Sequence, residues 1–318
     1  MKQLTVSETA AFLLARDRFV ILTHRRPDGD TIGCAAALCG GLRALGKQAV
    51  ILDNPQFTPK FLPYLEGMTC PDVQAGSCIV AVDVAAANIL AYNAAQYAEC
   101  VELVIDHHGR NSAYAAQGLV DPQAAACGEI ILHVLQAMGV SLTKRIAEAL
   151  YVAISTDTGC FRYSNTTAET LRAAAACKDA GADTFSINRV MFLTHRLARL
   201  KLDAYLTQTT EFYADGIVAV SAIPAELIDS LGLTEDDIDD ISGFGRDIEG
   251  VEIGVMIRQE PEGGKLSVRT SPAYNAAEYC AQLGGGGHAA AAGATVPGGI
   301  AEAKAAILRV LAASGVAV

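Results

Sequence analysis

The sequence predicts an α/β protein with an open, mostly parallel sheet flanked by helices, followed by a smaller mixed α+β domain. Three observations predict this fold. The first half alternates short apolar runs with helical patterns, its runs are continuously apolar, and the last third pairs apolar runs across glycine-rich turns. A parallel sheet covered on both faces requires continuous apolarity, whereas strand pairs joined by glycine turns indicate hairpins.

The chain length favours two domains. With 318 residues it exceeds the size at which a single hydrophobic core usually stops growing. Hydrophobic residues make up 51% and charged residues 19%, so both domains can bury a core and disorder is not expected. We expect a catalytic domain over residues 1–195, a helical linker over 196–214 and a substrate-binding domain over 215–318, with the active site in the cleft between the domains.

The elements of the first domain follow from its apolar runs. Strands are expected over Phe19–Leu22, Ala49–Leu52, Cys78–Val82 and Val101–Ile105. Helices are expected over Ile32–Leu45, Gly128–Met138, Lys144–Ile154 and Thr167–Ala180. Strands that alternate with helices in this way predict parallel neighbours.

The second domain shows a different pattern. Strands are expected over Gly216–Val220, Val251–Arg258 and Lys265–Thr270, with helices near Ala222–Leu231 and Gly299–Ala313. The turn Glu262-Gly263-Gly264 joins two of these strands. Such a mixture predicts a small α+β domain.

Charge and cysteine content narrow the class of protein. The net charge is −11 and no basic stripe is visible, so binding to long duplex nucleic acid is not expected and phosphate-bearing ligands should be short. The nine cysteines are scattered without a C-x-x-C pair, which argues against a disulfide scaffold and a thiolate zinc site. Apolar segments are too short for a secretory signal or a membrane span. We therefore expect a soluble cytoplasmic protein with reduced thiols.

Acidic and histidine side chains follow the buried apolar runs. They are His24, Asp28 and Asp30 after the first predicted strand, Asp83 after the third, Asp106, His107 and His108 after the fourth, and Asp157 after the apolar run Tyr151–Ile154. One aspartate after a strand is usually a turn or cap residue, but four clusters at strand ends can converge on one crevice. Carboxylate and imidazole ligands without cysteine suit Mn²⁺, Mg²⁺ or Fe²⁺, and two such ions form a clamp for displacement at phosphorus.

These motifs resemble those of the DHH phosphoesterase superfamily. The four N-terminal matches are HRRPDGD from His24 to Asp30, AVDVA around Asp83, VIDHHG around Asp106 to His108, and ISTDTGCFRYSNT around Asp157. Two further stretches, SVRTS from Ser267 to Ser271 and GGGGHAAAAGAT from Gly284 to Thr295, resemble the DHH-associated C-terminal domain. The matches run over nearly the whole chain, and their order and spacing are highly specific.

The resemblance implies a dinuclear metal site. One ion would be held by His24, Asp28 and Asp83, and the other by Asp30, Asp83, His107 and Asp157, so that Asp83 bridges the pair. The ions would be two Mn²⁺, with Mg²⁺ or another divalent cation as the alternative. We expect Asp106 to orient a ligand imidazole, and His108 to donate to a phosphate oxygen or to the leaving group. Cys34 stands where the family often has serine, and this departure leaves all the ligands intact.

The glycine run of the second domain is the candidate phosphate-binding segment. Gly284–Gly287 precedes an alanine segment that favours a helix, and such a run can present backbone N–H groups to an anion. With the resemblance added, six residues are expected to bind substrate: Ser267, Arg269, Gly285, Gly286, Gly287 and His288.

Within the superfamily, the size and the C-terminal domain resemble the nano-RNase type. The implied activity is Mn²⁺-dependent hydrolysis of short single-stranded oligoribonucleotides to mononucleotides, together with dephosphorylation of 3′-phosphoadenosine 5′-phosphate (pAp). The alternatives are a phosphodiesterase acting on c-di-AMP or its linear product, and a nucleotide sensor without catalytic activity. By resemblance alone, dimerisation through the N-terminal domain is also expected.

Overall fold

The computed structural model describes residues 1–238 and 240–318, which form two compact units, Met1–Thr194 and His195–Val318. The first unit contains a seven-stranded sheet and the second a six-stranded sheet. Every pairing in the first sheet is parallel, whereas the second sheet is mixed. The predicted fold class is therefore confirmed. Among the residues that the structure describes, no helix combines the length and apolarity needed to cross a membrane.

The sheet of the first unit has the order β1-β7-β6-β5-β2-β3-β4. Its strands are β1 (Lys2–Gln3), β2 (Phe19–Leu22), β3 (Ala49–Leu52), β4 (Thr69–Cys70), β5 (Cys78–Val82), β6 (Leu103–Asp106) and β7 (Gln117–Val120). All residues of β2, β5 and β6 are buried, which explains why these strands read as unbroken apolar runs. The four predicted strands are confirmed as β2, β3, β5 and β6.

Seven helices belong to the first unit: α1 (Val6–Leu14), α2 (Gly29–Ala44), α3 (Leu62–Leu65), α4 (Cys127–Ala137), α5 (Lys144–Asp157), α6 (Ala168–Asp179) and α7 (Thr184–Asn188). Helix α2 begins three residues before the predicted start because Asp28 caps it, accepting a hydrogen bond from the Thr31 backbone N–H. Helix α5 runs beyond the predicted Ile154 and ends at Asp157. Asp157 therefore reaches the site from the end of a helix.

Glycines allow α2 and α5 to pack with their backbones in close approach. A Cβ atom added at Gly33 would lie 2.3 Å from the Ala149 carbonyl oxygen, and one added at Gly29 would lie 2.3 Å from Thr156 Oγ1. Neither position can accommodate a side chain unless the helices separate. This packing brings the first turn of α2 beside the last turn of α5.

The sheet of the second unit has the order β12-β13-β11-β10-β9-β8. Its strands are β8 (Glu211–Tyr213), β9 (Val218–Ile223), β10 (Ile253–Glu260), β11 (Gly263–Thr270), β12 (Gly286–His288) and β13 (Ala291–Val296). The helices are α8 (Leu197–Thr209), α9 (Ala225–Leu231), α10 (Glu235–Ile238), α11 (Ala276–Ala281) and α12 (Ile300–Ala313). Leu202 and Leu206 of α8 are buried in a cluster with Ile223 and Met256, so this helix packs on the second unit.

Short turns complete the two units. Short 3₁₀ segments lie at Pro59–Phe61, Ala87–Ile89, Ala95–Cys100, Ala214–Gly216 and Ile241–Asp247, and a wider π turn at Arg189–Leu193 follows α7.

The alanine segment after the glycine run does not form the helix that its composition favours. Ala289 and Ala290 form a turn, and Ala291–Val296 is strand β13, paired antiparallel with both β11 and β12. The prediction was wrong because pairing with β11 on one side and β12 on the other outweighs the weak helix propensity of alanine. The glycine run therefore leads into a hairpin.

Candidate active site

The predicted metal-binding residues of the first unit come together at the ends of the strands and of α5. Three overlapping groups have ligand atoms within 4.8 Å of one another: His24 with Asp28 and Asp83, Asp30 with His107 and Asp157, and Asp83 with His107 and His108. The first group contains the same residues as one predicted set of ligands, and the second contains three of the four residues predicted for the other set, without Asp83. Asp83 and His107 each belong to two groups, so the cluster is continuous.

His24 presents one ring nitrogen to two carboxylates. Its Nδ1 lies 2.7 Å from the Arg25 carbonyl oxygen, and its Nε2 lies 3.7 Å from Asp83 Oδ2 and 3.9 Å from Asp28 Oδ1. Because a carbonyl oxygen can only accept, Nδ1 is the donor in this contact, and Nε2 is the nitrogen that faces the carboxylates. Nε2 is therefore the ligand atom.

His107 is oriented in the same manner from a different element. Its Nδ1 donates to the Ala124 carbonyl oxygen at 3.2 Å. Its Nε2 lies 3.5 Å from Asp157 Oδ2, 3.6 Å from Asp83 Oδ1 and 3.8 Å from Asp30 Oδ2. Because Nε2 faces three carboxylates, it can bind the same cation as they do.

Asp83 lies at the centre of the cluster in a strained backbone conformation. Its φ is 55°, in the left-handed region that residues other than glycine seldom adopt. Its Oδ2 accepts a 2.6 Å hydrogen bond from the Thr31 hydroxyl. Its Oδ1 is buried without a hydrogen-bond partner among the described residues, and it faces the imidazoles of His107 and His108, each at 3.6 Å.

Asp30 is held by the start of α4. Its two carboxylate oxygens accept hydrogen bonds from the backbone N–H groups of Cys127 at 2.7 Å and Gly128 at 2.9 Å. The Cys34 thiol donates to the same carboxylate at 3.2 Å. The positive end of the α4 dipole favours the charged form of this fully buried group.

The carboxylates of the cluster disfavour one another's ionisation. Burial raises the pKa of Asp30 well above its usual range, and the charges of Asp157 and Asp28 raise it further. Burial, with the charges of Asp30 and Asp28, raises the pKa of Asp83 well above its usual range in the same way. The pKa of Asp157 is also raised, chiefly by burial, although His107 opposes the shift. Several acidic groups that repel in one buried site would be stabilised by a divalent cation.

The donor set fits such a cation. The buried Oδ1 of Asp83 accepts no hydrogen bond from the described residues, and an oxygen left in this state costs free energy unless another ligand occupies it. Carboxylate oxygens and imidazole nitrogens are the donors that divalent ions such as Mn²⁺ and Mg²⁺ accept. His24, Asp28, Asp30, Asp83, His107 and Asp157 are thus a chemically suitable metal centre.

Asp106 holds the imidazole of His108. Its Oδ1 lies 2.7 Å from His108 Nδ1, and its Oδ2 accepts a 2.6 Å hydrogen bond from Asn111. The ring of His107 is instead held by the Ala124 carbonyl group, so the expectation that Asp106 orients a ligand imidazole stays a prediction. His107 contacts Asp106 Oδ1 only through its backbone N–H, at 2.9 Å.

The hydrogen bond between Asp106 and His108 lowers the pKa of the carboxyl group and raises the pKa of the imidazole. Burial tends to raise the pKa of Asp106, but the hydrogen bonds from His108 and Asn111 outweigh it and the net shift is downward. The same hydrogen bond raises the pKa of His108 to about 9. With 47% of its side chain exposed, His108 is a protonated group at the edge of the metal cluster.

The second unit carries a groove of about 600 Å³ over strands β11, β12 and β13. Five of the six residues predicted to bind substrate line it: Ser267, Arg269, Gly285, Gly286 and Gly287. The sixth, His288, is exposed on β12 and is not among the lining residues. Arg269 is oriented by Ser242, whose hydroxyl oxygen accepts from the guanidinium at 2.8 Å.

The glycines of the run serve different purposes. A Cβ atom at Gly285 would lie 2.1 Å from the Gly293 carbonyl oxygen, and Gly287 has a φ of 148° with the Ala291 carbonyl oxygen 2.6 Å from such an atom. The hairpin therefore requires glycine at both positions. At Gly286 an added Cβ would meet nothing within 4 Å, so the fold does not require glycine there.

Sequence reasoning did not identify Thr31, Asn111 or Lys265. Thr31 and Asn111 are the donors to Asp83 and Asp106, and Lys265 lines the groove. Thr31 directly follows the HRRPDGD motif and Asn111 lies three residues after His108, so proximity to the motifs was the available signal.

Comparison with known proteins places the chain in a family. The model of the DHH family N-terminal domain matches residues 18–154, and the model of the DHHA1 domain matches residues 215–314. A Thermus thermophilus relative named bifunctional oligoribonuclease and PAP phosphatase NrnA is 35% identical over 282 residues, covering 87% of this chain and 84% of the relative. The chain belongs to the DHH family.

The chain is also similar to two further proteins. The Bacillus subtilis protein of the same name is 25% identical over 287 residues, which cover 88% of this chain and 90% of that protein. The crystal structure of an exopolyphosphatase-related protein from Bacteroides fragilis superposes with a TM-score of 0.86 at 22% identity, covering 97% of this chain and 95% of that one. This structural likeness shows a shared fold. The DHH match contains five of the six candidate metal ligands, and Asp157 lies three residues beyond it.

Proposed function

We propose that this protein is a metal-dependent phosphoesterase that hydrolyses short oligoribonucleotides to mononucleotides and dephosphorylates pAp. The observation that carries the proposal is the buried Oδ1 of Asp83, which accepts no hydrogen bond in the part of the chain that the structure describes and faces two imidazoles in a cluster of carboxylates. The names of the NrnA relatives, which align along most of the chain, supply the class of substrate.

Two groups of side chains are proposed to hold the metal. His24, Asp28 and Asp83 would bind one divalent cation, and Asp30, Asp83, His107 and Asp157 the other, with Asp83 shared. We propose Mn²⁺ because the donors are carboxylates and imidazoles without thiolate. When bound, such a pair of ions neutralises charge on phosphoryl oxygens and lowers the pKa of a water molecule towards neutrality.

The protein's own residues complete the site. Asp106 fixes the His108 ring by accepting from Nδ1, which leaves the Nε2 proton for the substrate. Because His108 is charged at neutral pH, we propose that it donates this proton to the leaving oxygen or hydrogen-bonds a phosphate oxygen. The Ala124 and Arg25 carbonyl groups hold the two ligand imidazoles in the tautomer that presents Nε2.

The groove of the second unit is proposed to bind a phosphate that is not hydrolysed. Arg269 offers a guanidinium oriented by Ser242, and Ser267 offers a hydroxyl on the same strand face. Gly286 leaves space for a nucleotide to approach the backbone. In a chain of net charge −11, a local cationic groove favours short substrates over long duplexes.

The cellular setting is also part of the proposal. All nine cysteines are free thiols, six of them buried, which suits a reducing compartment such as the cytoplasm. A homodimer is proposed from the family resemblance, and sedimentation equilibrium measures it.

The test of the proposed function is a chromatographic time course on a 5′-phosphorylated RNA dinucleotide with Mn²⁺, with EDTA as the control. Parallel reactions contain pAp and c-di-AMP. Mononucleotides should appear only with metal, and pAp should lose one phosphate. Turnover of c-di-AMP alone would replace the proposed substrate, and folded, metal-loaded protein that acts on none of the three would refute the proposal.

A further inference from the structure

The groove of the second unit has two cationic ends. Along β11, Lys265, Ser267 and Arg269 are partly exposed and alternate with buried Leu266 and Val268, so the three share one strand face. Because a strand rises about 3.3 Å per residue, the Cα atoms of Lys265 and Arg269 are about 13 Å apart. The two cations therefore lie at opposite ends of this strand face, far enough apart to contact two different phosphate groups.

The floor between these ends consists of small residues. The register of β13 places Ala291 opposite Arg269, Gly293 opposite Ser267 and Thr295 opposite Lys265. Gly286 of β12 pairs with Gly293, which extends the flat region across the next strand. The middle of the groove thus leaves space for a ligand that reaches from one cation to the other.

Lys265 can turn towards an anion without leaving the carboxylate of Glu260 unpaired. Its Nζ lies 3.4 Å from Glu260 Oε1, with 43% of the lysine side chain exposed. The same oxygen accepts a 3.0 Å hydrogen bond from Arg258 Nε, and Arg258 also lies 3.5 Å from Glu235. An exposed ion pair of this kind contributes little, and Glu260 keeps Arg258 as its partner when Lys265 turns towards an anion.

We propose that Lys265, with Thr295 opposite it, forms a second phosphate subsite that binds one additional phosphate of an oligoribonucleotide longer than a dinucleotide. The inference rests on the proposed function. A 5′-phosphorylated dinucleotide has one phosphate besides the one being hydrolysed, and that phosphate occupies the Arg269 end. When a trinucleotide is cleaved at its 3′-terminal phosphodiester, the remaining phosphodiester occupies the Arg269 end and the 5′-phosphate reaches Lys265.

The experiment compares Lys265→Gln with the wild type on 5′-phosphorylated RNA dinucleotide and trinucleotide. The KM for the trinucleotide should rise about fivefold while kcat and the dinucleotide KM stay within about twofold, because only binding of the additional phosphate is lost. The slope of log KM against log salt for the trinucleotide should fall by about 0.7, as expected for one lost phosphate contact to a single strand. Lys265→Arg should restore both values.

The matched control is Lys304→Gln, which removes one charge from α12, where Lys304 pairs with Glu211 outside the groove. It should leave both KM values unchanged. An unchanged trinucleotide KM in Lys265→Gln, or an equal rise for both substrates, would overturn the subsite. If the wild type hydrolyses neither substrate, the proposed function itself is refuted, and the subsite with it.

Discussion

At the residue scale, the candidate centre depends most on Asp83. This residue combines a positive φ, a short hydrogen bond from Thr31 and a buried oxygen that accepts no hydrogen bond from the residues that the structure describes. Strain and an unsatisfied acceptor each cost free energy, so the surrounding structure must hold the side chain in place. An arrangement of this kind is typical of a site prepared for a ligand.

Replacing Asp83 by Asn should abolish turnover. The substitution keeps the shape but removes the charge shared by the two proposed metal groups, so kcat/KM should fall by more than about 100-fold. Steady-state hydrolysis of the dinucleotide measures the effect. The control is Asp72→Asn, an exposed aspartate of the same unit, which should retain full activity. Comparable activity in the two variants would contradict the bridging role.

Cys34 should matter for metal affinity although it is not a ligand. Its thiol donates to Asp30, so Cys34→Ala should weaken Mn²⁺ binding about tenfold, whereas Cys34→Ser keeps a donor and should restore affinity. Calorimetric titration of the metal-free protein measures this directly.

The matched variant for Cys34 is Cys39→Ala. Cys39 is also a buried thiol of α2, but it donates to the Ala49 carbonyl oxygen. The Cys39→Ala variant should have a lower free energy of unfolding but an unchanged affinity for Mn²⁺. If both alanine variants bind Mn²⁺ like the wild type, the thiol has no positioning role.

At the element scale, the close packing of α2 and α5 fixes the distance between the two sides of the metal cluster. Gly33→Ala should lower the free energy of unfolding by about 1–3 kcal/mol, because the new methyl group would overlap backbone atoms of α5. Urea unfolding followed by circular dichroism measures this loss.

Gly40→Ala is the matched substitution in the same helix. Its Cβ would lie 3.0 Å from the Ile146 side chain, which can move, and alanine is the better helix former by about 1 kcal/mol. It should therefore leave stability unchanged or slightly raised. Equal destabilisation by the two variants would show that backbone contact at Gly33 is not what limits the packing.

Gly286 provides the corresponding test in the groove. Gly286→Val should raise the KM for the dinucleotide about tenfold, equivalent to 1.4 kcal/mol, with kcat nearly unchanged, since the side chain would occupy the groove. Its thermal unfolding should match the wild type, whereas Gly285→Val should disrupt the hairpin. A normal KM for folded Gly286→Val would argue against substrate binding in this groove.

The helices and strands that could be predicted from the sequence are those whose buried residues form a recognisable apolar pattern. Strands β2, β3 and β5 match their predicted bounds because each is a buried apolar run at the centre of a parallel sheet. The strands β1 and β4 have two residues each, too few to show a pattern. Strand β13 was read as helix-prone because alanine composition carries no information about partners across a sheet.

The sequence motifs predicted which residues form the candidate site, but they did not predict the hydrogen bonds that hold those residues. The six proposed metal ligands follow from the motifs, and they are brought together by the fold. The two backbone N–H groups that donate to Asp30 lie 97 and 98 residues away, at the start of α4. The pairing of His108 with Asp106 depends on the rotamers of both side chains. Neither feature is encoded in local sequence patterns.

At the scale of the whole molecule, the metal cluster links stability to pH. The pKa values of Asp30 and Asp83 are raised above the unfolded values, so the stabilisation from their neutral forms is complete at low pH and is lost as pH rises through the folded pKa. A divalent cation would replace the protons that are then lost. The stabilising effect of metal should therefore increase with pH.

Thermal unfolding of the metal-free protein with and without Mn²⁺ tests this dependence. The rise in Tm on adding metal should be larger at about pH 8 than at about pH 5, because protons compete with the cation at the lower pH. Asp83→Asn should show little rise at either pH. An equal rise at both values in the wild type would mean that the metal binds elsewhere.

The central claim is that one carboxylate, Asp83, joins two metal positions into a single phosphoesterase centre. Calorimetric titration of Mn²⁺ into the metal-free wild type and into Asp83→Asn, with dinucleotide hydrolysis measured on the same samples, tests it most directly. The account predicts two ions bound by the wild type together with hydrolysis, and in the variant weakened binding at both positions without hydrolysis. Two tightly bound ions in an active Asp83→Asn variant would contradict it.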